Sequence, residues 1–326
     1  MELHRVSGRR GLGFSLAFLT MALWGALPIA LQGVLRSVDP ATITWVRFSV
    51  SAILLGAVLA ARRQLPPLGR LGRPEWILLG LATVFLAANY LAYLIALDWT
   101  SPATAQVMIQ LAPLLLALGG VVIFRERFTR IQWLGVGTLV FGLALFFAGQ
   151  LAALVAEVDR YLAGNAVMVL AAATWAVYGL AQKQLLRSLA SQGIMLCIYI
   201  GCTGLFAVLA EPRHLLALDA TGWWLLGFCA LNTIVAYGAF SEALQHWEAS
   251  RVSAVLALTP LATLGLSSLV ASHWPGFLSP PLLSWSALAG ALLVVVGSLA
   301  TALGAGVPAR VSSSESAGLG AGRERG

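Results

Sequence analysis

Long apolar runs alternate with short polar connectors along almost the whole chain. Ten of these runs have about 20 residues, the length that a helix needs to cross about 30 Å of hydrocarbon. The charged residues and most of the turn-forming residues lie in the connectors. The pattern predicts an all-α membrane protein with ten transmembrane helices. They lie near residues 11–34, 41–61, 76–97, 103–124, 131–151, 165–184, 192–210, 221–244, 251–272 and 283–304.

One segment of the chain occurs twice. Residues 96–128 and 243–274 align at an offset of about 147, with Tyr90 opposite Tyr237 and Pro113 opposite Pro260. Each copy belongs to a set of five predicted helices, and because five is odd, the two sets would cross the membrane in opposite directions. The sequence therefore predicts two inverted five-helix repeats, residues 11–151 and 165–304, which is the plan of many secondary transporters.

The composition supports a membrane setting, since 59% of the residues are hydrophobic and only 10% are charged. The net charge of +7 does not indicate a nucleic-acid partner. If both termini lie in the cytoplasm, sixteen of the twenty Lys and Arg residues face the cytoplasm and three face the outside, as the positive-inside rule requires. Residues 305–326 have no apolar run, which predicts a disordered cytoplasmic tail.

Several short motifs occur in a characteristic order: Trp24–Gly25, Pro40 followed by Arg47, the run 100–118, and Glu126 after that run. A fifth predicted helix with spaced glycines follows them. Over residues 11–304 the chain resembles the drug/metabolite transporter (DMT) superfamily, and within it the EamA-type ten-helix permeases. The resemblance implies an inner-membrane permease that exports metabolites, amino acids or drugs, or exchanges solutes. One departure is that His273 stands opposite Glu126 in the second copy.

Polar and aromatic side chains inside the predicted helices are the candidates for a solute path, because they are costly to expose to lipid. Gln106, Gln110 and Pro113 are spaced i, i+4 and i+7, which would place them on one face of a continuous helix. Pro113 would also free the carbonyl near Ile109 for a solute or a water. The alternative for the amides is a hydrogen bond between neighbouring helices. The candidates are Gln106, Gln110, Asn89, Tyr93, Trp175, Tyr178, Trp24 and Asn232, with Pro113 and Pro260 as structural kinks.

Two charged residues have competing interpretations. Arg47 would either extend its side chain to the membrane interface or pair with a backbone carbonyl or an anionic group of the solute. Glu126, between two arginines, is interpreted as a structural ion pair at a helix end. No acid lies at a predicted membrane midplane, so we expect a neutral solute site in a facilitator or exchanger without proton coupling. Such a site suits a zwitterionic or uncharged solute.

The sequence offers no metal-ligand spacing and no phosphate-binding loop, so we expect no cofactor, no metal and no enzymatic activity. A lipid or lipid-linked flippase on the same scaffold is an alternative, and a membrane-embedded enzyme is a weaker one. The expected partners are a small-molecule solute and the lipid bilayer. The glycines of the fifth helix serve packing within one subunit or between two, which leaves the choice between monomer and homodimer open.

Overall fold

A computed structural model describes residues 9–124, 128–153, 158–247, 252, 255–278 and 284–303 of the 326 residues. The described residues form α-helices and two short 3₁₀ helices, Leu68–Arg70 and Pro212–Ala217, without a strand. The helices are α1 (Arg10–Leu35), α2 (Pro40–Ala61), α3 (Arg73–Trp99), α4 (Pro102–Met108), α5 (Leu111–Phe124), α6 (Arg130–Ala153), α7 (Val158–Leu185), α8 (Ser191–Ala207), α9 (Ala220–His246), α10 (Thr259–His273) and α11 (Trp285–Leu303).

Eight helical stretches in the described part of the chain are long and apolar enough to cross a membrane, judged by length and composition alone. They include α4 and α5 taken together, over Pro102–Ile123. The seventh predicted helix corresponds to α8, which has only 17 residues. The ninth corresponds to α10, which has 15 residues. The all-helical membrane class is thus confirmed, and the number ten stays a prediction.

The fourth predicted helix is interrupted rather than continuous. It forms α4 and α5, with a turn at Ile109 and Gln110. Pro113 causes this break, because it has no N–H to donate to the carbonyl of Ile109 and its ring crowds that carbonyl. The Ile109 oxygen instead accepts from Ala112 N at 2.8 Å. The expected free carbonyl is therefore already satisfied, and Gln106 and Gln110 do not share the face of one regular helix.

The second copy has an equivalent interruption. A turn at Ala257 and Leu258 precedes α10, which begins one residue before Pro260. Here the carbonyl four residues before the proline, that of Leu256, accepts from the Thr259 hydroxyl at 2.5 Å. Both copies thus break their helix just before the aligned proline, and they satisfy the freed carbonyl by different groups.

The neighbours of the helices come in matched pairs. When α1, α2, α3, α5 and α6 are set against α7, α8, α9, α10 and α11, the contact of α1 with α9 corresponds to that of α3 with α7. Likewise α1 with α10 corresponds to α5 with α7, and α2 with α9 corresponds to α3 with α8. The contacts α2–α8 and α6–α11 each join two helices that hold the same position in the two sets, so exchanging the sets leaves these contacts unchanged.

The α6–α11 pair is the closest contact between helices. A Cβ at Gly290 would lie 2.3 Å from the backbone nitrogen of Phe146, and one at Gly297 would lie 2.4 Å from that of Leu139. Gly142 faces Gly290 and Gly135 faces Gly297, so the two helices run antiparallel. In this structure the glycines of the fifth helix therefore pack within one subunit.

Some sequence predictions fall outside the described residues. They concern Glu126 and the tail over residues 305–326.

Candidate functional site

Arg47 lies buried between the two halves of the chain. Its side chain is 3% exposed although it belongs to α2, seven residues from the helix start and hence about 10 Å inward. Its Nε and Nη2 both donate to Thr233 Oγ1, at 3.3 and 3.2 Å. Thr233 is placed halfway along α9. The interpretation that Arg47 extends to the interface is therefore wrong, because neighbouring helices enclose it.

The Arg47 guanidinium also lies against an aromatic ring, with its Cζ 4.8 Å from the centroid of Tyr90. A cation–π contact of this kind stabilises a desolvated charge by about 2 kcal/mol. Within the described residues Arg47 has no carboxylate partner, since every ion pair there involves other residues. Removing a charge from water costs several kcal/mol even after relaxation. The contacts that the described residues supply to the charge are the Thr233 hydroxyl and the Tyr90 ring.

Tyrosines from both halves surround the arginine. The side chains of Tyr90 and Tyr237, which align in the two sequence copies, lie close enough to interact electrostatically. The hydroxyl of Tyr93, one helical turn from Tyr90, lies 3.5 Å from Gln106 Oε1. The Trp24 ring contacts that of Tyr237 with centroids 5.4 Å apart. We call Arg47, Tyr90, Tyr93, Thr233 and Tyr237 the Arg47 cluster.

The structure places both predicted asparagines at contacts between helices. Asn89 Nδ2 donates to the backbone oxygen of Ala171 at 2.8 Å, which joins α3 to α7. Asn232 Nδ2 donates to the backbone oxygen of Leu23 at 2.8 Å, which joins α9 to α1. Both side chains are buried. These amides make the interhelical hydrogen bonds that the sequence left open as the alternative to a solute contact.

The remaining candidates divide into two groups. Tyr93 belongs to the Arg47 cluster, and Trp24 and Gln106 adjoin it through the contacts given above. Trp175 and Tyr178 form a second aromatic contact on α7, with centroids 6.3 Å apart and the Tyr178 hydroxyl 3.3 Å from Met195 Sδ. Gln110 lies half-buried in the turn between α4 and α5. Among the prolines, Pro260 is buried and Pro113 is exposed.

Sequence reasoning missed Thr233 and the joint role of Tyr90 and Tyr237. A threonine within an apolar run gives no signal of its own, because a Thr hydroxyl in a helix usually bonds to the carbonyl four residues earlier. Thr233 does this too, donating to Cys229 O at 3.1 Å. The tyrosine pair did have a signal, since the two residues align at the repeat offset. Such an alignment marks residues that could come together where two repeats pack against each other.

The acidic side chains of the described residues lie near the ends of helices or in the connections between them. Glu242, the acid nearest a predicted midplane, has a side chain 49% exposed and pairs with His246 Nε2 at 3.0 Å. In the described part of the chain no group of three His, Cys, Asp or Glu residues is placed to hold a metal ion. The described site is thus aromatic and hydroxyl-rich, with one buried cation.

Comparison with known proteins decides the family. The profile of the EamA-like transporter family matches residues 11–148 and again residues 162–303. The chain belongs to the EamA-like transporter family. The Arg47 cluster of this EamA-like transporter combines residues from both matched segments: Arg47, Tyr90 and Tyr93 from the first, and Thr233 and Tyr237 from the second.

Curated relatives cover most of this EamA-like chain. The uncharacterized inner membrane transporter YhbE of Escherichia coli (strain K12) is 40% identical over 295 residues, which are 90% of this chain and 92% of YhbE. An uncharacterized transporter of Haemophilus influenzae is 36% identical over 293 residues, 90% of this chain and 95% of that protein.

Two other matches are more distant. A 77-residue stretch is 32% identical to the probable 4-amino-4-deoxy-L-arabinose-phosphoundecaprenol flippase subunit ArnE of Hamiltonella defensa, covering 24% of this chain and 69% of ArnE. One solved crystal structure is similar to this chain with a TM-score of 0.59 and 21% sequence identity. The matched region covers 90% of this EamA-like chain and 97% of the chain in the crystal structure. At this level of identity the match supports the fold alone.

Proposed function

We propose that this EamA-like transporter is a secondary transporter of a small metabolite, amino acid or drug-like solute. It would work by alternating access along a path between two inverted five-helix repeats, in the inner membrane as the name of YhbE states for that relative. The observation that carries the proposal is the matched pairing of helix contacts, in which α1–α9 corresponds to α3–α7. Two equivalent halves in contact can exchange their arrangements, which opens the path first to one side and then to the other.

Individual contacts support this pairing of the halves. Gly13 of α1 packs against Trp247 at the end of α9, and Gly164 of α7 packs against Thr100 at the end of α3. Gly13 and Gly164 are 151 positions apart, the same offset that relates Trp24 to Trp175. The interrupted helices also support a transporter, because discontinuous helices near the midplane expose backbone polar groups only where protein or a path covers them.

The transport test uses purified protein in liposomes. Liposomes preloaded with unlabelled amino acids, nucleosides, sugars or cationic dyes are given the same labelled solute outside, and its uptake is measured against time. We expect at least one solute to enter faster than into protein-free liposomes, and faster with the unlabelled solute inside than without it. A panel in which no solute moves faster than in protein-free liposomes would contradict the proposal.

Coupling and the flippase alternative are tested in the same liposomes. A lumenal pH dye should stay constant during solute uptake, because the described acids lie at helix ends and supply no proton relay across the membrane. Only the short match to ArnE favours a flippase. If a fluorescent phospholipid changed leaflets faster with the protein than without it, while no small solute moved, the flippase would replace the transporter.

Ten transmembrane helices with both termini in the cytoplasm complete the proposal. The substitution Ser312→Cys would test the orientation in a protein whose natural cysteines, Cys197, Cys202 and Cys229, are replaced by alanine. We expect an impermeant maleimide to label this cysteine only after the cells are permeabilised. Labelling of intact cells would place the tail outside and reverse the orientation or change the number of helices.

A further inference from the structure

Arg47 presents one particular edge of its guanidinium to Thr233. Nε and Nη2 form the side of the fork that binds a carboxylate with two parallel hydrogen bonds. Here both donors share a single oxygen at 3.3 and 3.2 Å, longer than the 2.7–2.9 Å typical of a bond from a guanidinium to a carboxylate. The same Thr233 oxygen also donates to Cys229 O at 3.1 Å. One hydroxyl therefore occupies a place that fits a two-oxygen acceptor.

The helix that carries this edge, α2, contains no acidic residue. Within the described residues, the nearest acid along α2 is Asp39, eight residues before Arg47 and hence about 12 Å along the helix axis. Its carboxylate is occupied by Thr42 N at 2.9 Å and by His214 Nδ1 at 2.9 Å. Among the described residues no acidic side chain forms an ion pair with Arg47, so its Nε–Nη2 edge is met by a neutral hydroxyl.

The Arg47 cluster contains one cation and several aromatic rings. Arg47 is the one charged side chain of the cluster, and its Cζ lies 4.8 Å from the centroid of the Tyr90 ring. At the 151-residue offset the second half has Ile198 in place of Arg47, so the symmetry does not duplicate the charge. One guanidinium matches one negative charge, and aromatic faces accommodate an apolar body.

We infer that Arg47 is the anion-recognition residue of the solute path and that the transported solute is a monoanionic carboxylate with an uncharged apolar or aromatic body. The inference rests on the proposed transport function and replaces the neutral site expected from the sequence. In the solute-bound state the carboxylate takes the Nε–Nη2 edge from Thr233, and the ring of Tyr90 stays against the guanidinium.

Matched pairs of small molecules test the inference on full-length protein in detergent at pH 7. The pairs are 3-phenylpropionate with 3-phenylpropanamide, cyclohexanecarboxylate with cyclohexanecarboxamide, and hexanoate with hexanamide. The measurement is the concentration of each compound that raises the Tm of unfolding by a fixed amount. We expect at least one carboxylate to act at a concentration at least tenfold lower than its amide.

Four variants separate recognition from a structural role. Arg47→Gln should remove the tenfold preference, and Arg47→Lys, which keeps the charge without the fork, should reduce it. Thr233→Val removes the competing acceptor, so it should lower the Tm of the free protein and increase the response to the carboxylate. Arg36→Gln is the matched control, because Arg36 also lies over an aromatic ring, that of Phe277, but at a helix end. It should keep the preference.

The inference is overturned if carboxylates and amides act equally on the native protein in all three pairs, or if the preference persists in Arg47→Gln. Should Arg47→Gln fail to fold, Thr233→Val decides, because a purely structural contact predicts a lower Tm without a stronger carboxylate response. Uptake into liposomes keeps the two proposals apart. Transport of uncharged solutes alone contradicts the role of Arg47, whereas Arg47-dependent carboxylate binding without any flux contradicts the transport function.

Discussion

The two matched segments of this protein, residues 11–148 and 162–303, share their frame and differ in their chemistry. Both interrupt a helix just before an aligned proline, and both contribute a tyrosine, Tyr90 or Tyr237, to the middle of the molecule. The residues around those tyrosines are different. Asn89 stands opposite Ala236, and Tyr93 stands opposite Phe240.

This difference separates the features that occur in both segments from those that occur in one. The first kind brings helices together, and the second kind forms the candidate site. Close helix contacts recur at aligned glycines, because each half must bring its helices together in the same way. The Asn89 amide forms a hydrogen bond from α3 to α7. At the aligned position of the other pair, the Thr20 hydroxyl of α1 lies 3.4 Å from the backbone oxygen of Ala236 on α9. The buried charge of Arg47 occurs once, and its hydrogen-bond acceptor Thr233 comes from the other segment. Neither segment builds the Arg47 cluster alone.

The largest effect should come from the glycines that join the last helices of the two segments. Gly290→Ala would place a Cβ 2.3 Å from Phe146 N, and Gly142→Ala would place one 2.7 Å from Val294 N. Because backbone cannot move aside as a side chain can, we expect each to destabilise the protein by about 1–3 kcal/mol, Gly290→Ala the more. The measurement is the Tm in detergent.

Gly137→Ala on α6 serves as the control for these glycines, since a Cβ added there would have nothing within 4 Å. It should leave the Tm unchanged or raise it slightly, because alanine favours a helix. If Gly290→Ala were as stable as Gly137→Ala, the antiparallel α6–α11 contact would be wrong.

An intermediate effect should separate the amides that hold the frame from those near the site. Asn89→Ala and Asn232→Ala each remove one hydrogen bond between helices and should lower stability by about 0.6–1.7 kcal/mol. Gln106→Ala, beside Tyr93, should change the response to a bound solute more than it changes stability. Thermal unfolding with and without solute measures both quantities.

The opposite result would reassign these residues. Loss of the solute response in Asn89→Ala, with an unchanged Tm in the absence of solute, would place Asn89 in the solute path. An unchanged solute response in Gln106→Ala would remove Gln106 from it.

The smallest effect concerns helix caps at aligned positions. Asp39 caps α2 by accepting from Thr42 N, whereas Ala190, which precedes α8 at the 151-residue offset, supplies no side-chain cap. Asp39→Ala should destabilise by about 1 kcal/mol, and Ala190→Asp should stabilise by somewhat less. An unchanged or lower Tm in Ala190→Asp would show that the start of α8 does not accept the same cap.

The Asp39 cap should also depend on pH. Burial raises the pKa of Asp39, but the hydrogen bonds from Thr42 and the contact with His214 lower it more, so the net pKa lies below the usual value. The ionised form is therefore favoured by folding, and its contribution is complete above about pH 4 and is lost as the pH falls through the lowered pKa. The Tm difference between the native protein and Asp39→Asn should shrink over that range. A difference that grew as the pH fell would contradict this.

Particular residues mark how far the sequence could predict the structure. The helix positions and the aligned prolines followed from hydropathy and spacing, since both are local properties of the chain. The break at Ile109 and Gln110 was missed, because a proline inside an apolar run is compatible with a kink or with a complete interruption. Asn89 and Gln106 looked alike in sequence, and only their neighbours distinguish them, a backbone carbonyl for one and the Tyr93 hydroxyl for the other.

The sequence by itself determined the membrane class, the duplication and the family, because apolar length, periodic spacing and repeated motifs need no knowledge of contacts. Only the tertiary structure decided that Arg47 is enclosed and that Tyr90 meets Tyr237. These facts depend on which faces of α2, α3 and α9 turn toward each other. The hydrogen-bonded partners Arg47 and Thr233 are 186 residues apart in the sequence. In lipid both faces of a helix are apolar, so hydropathy does not reveal which one faces a partner.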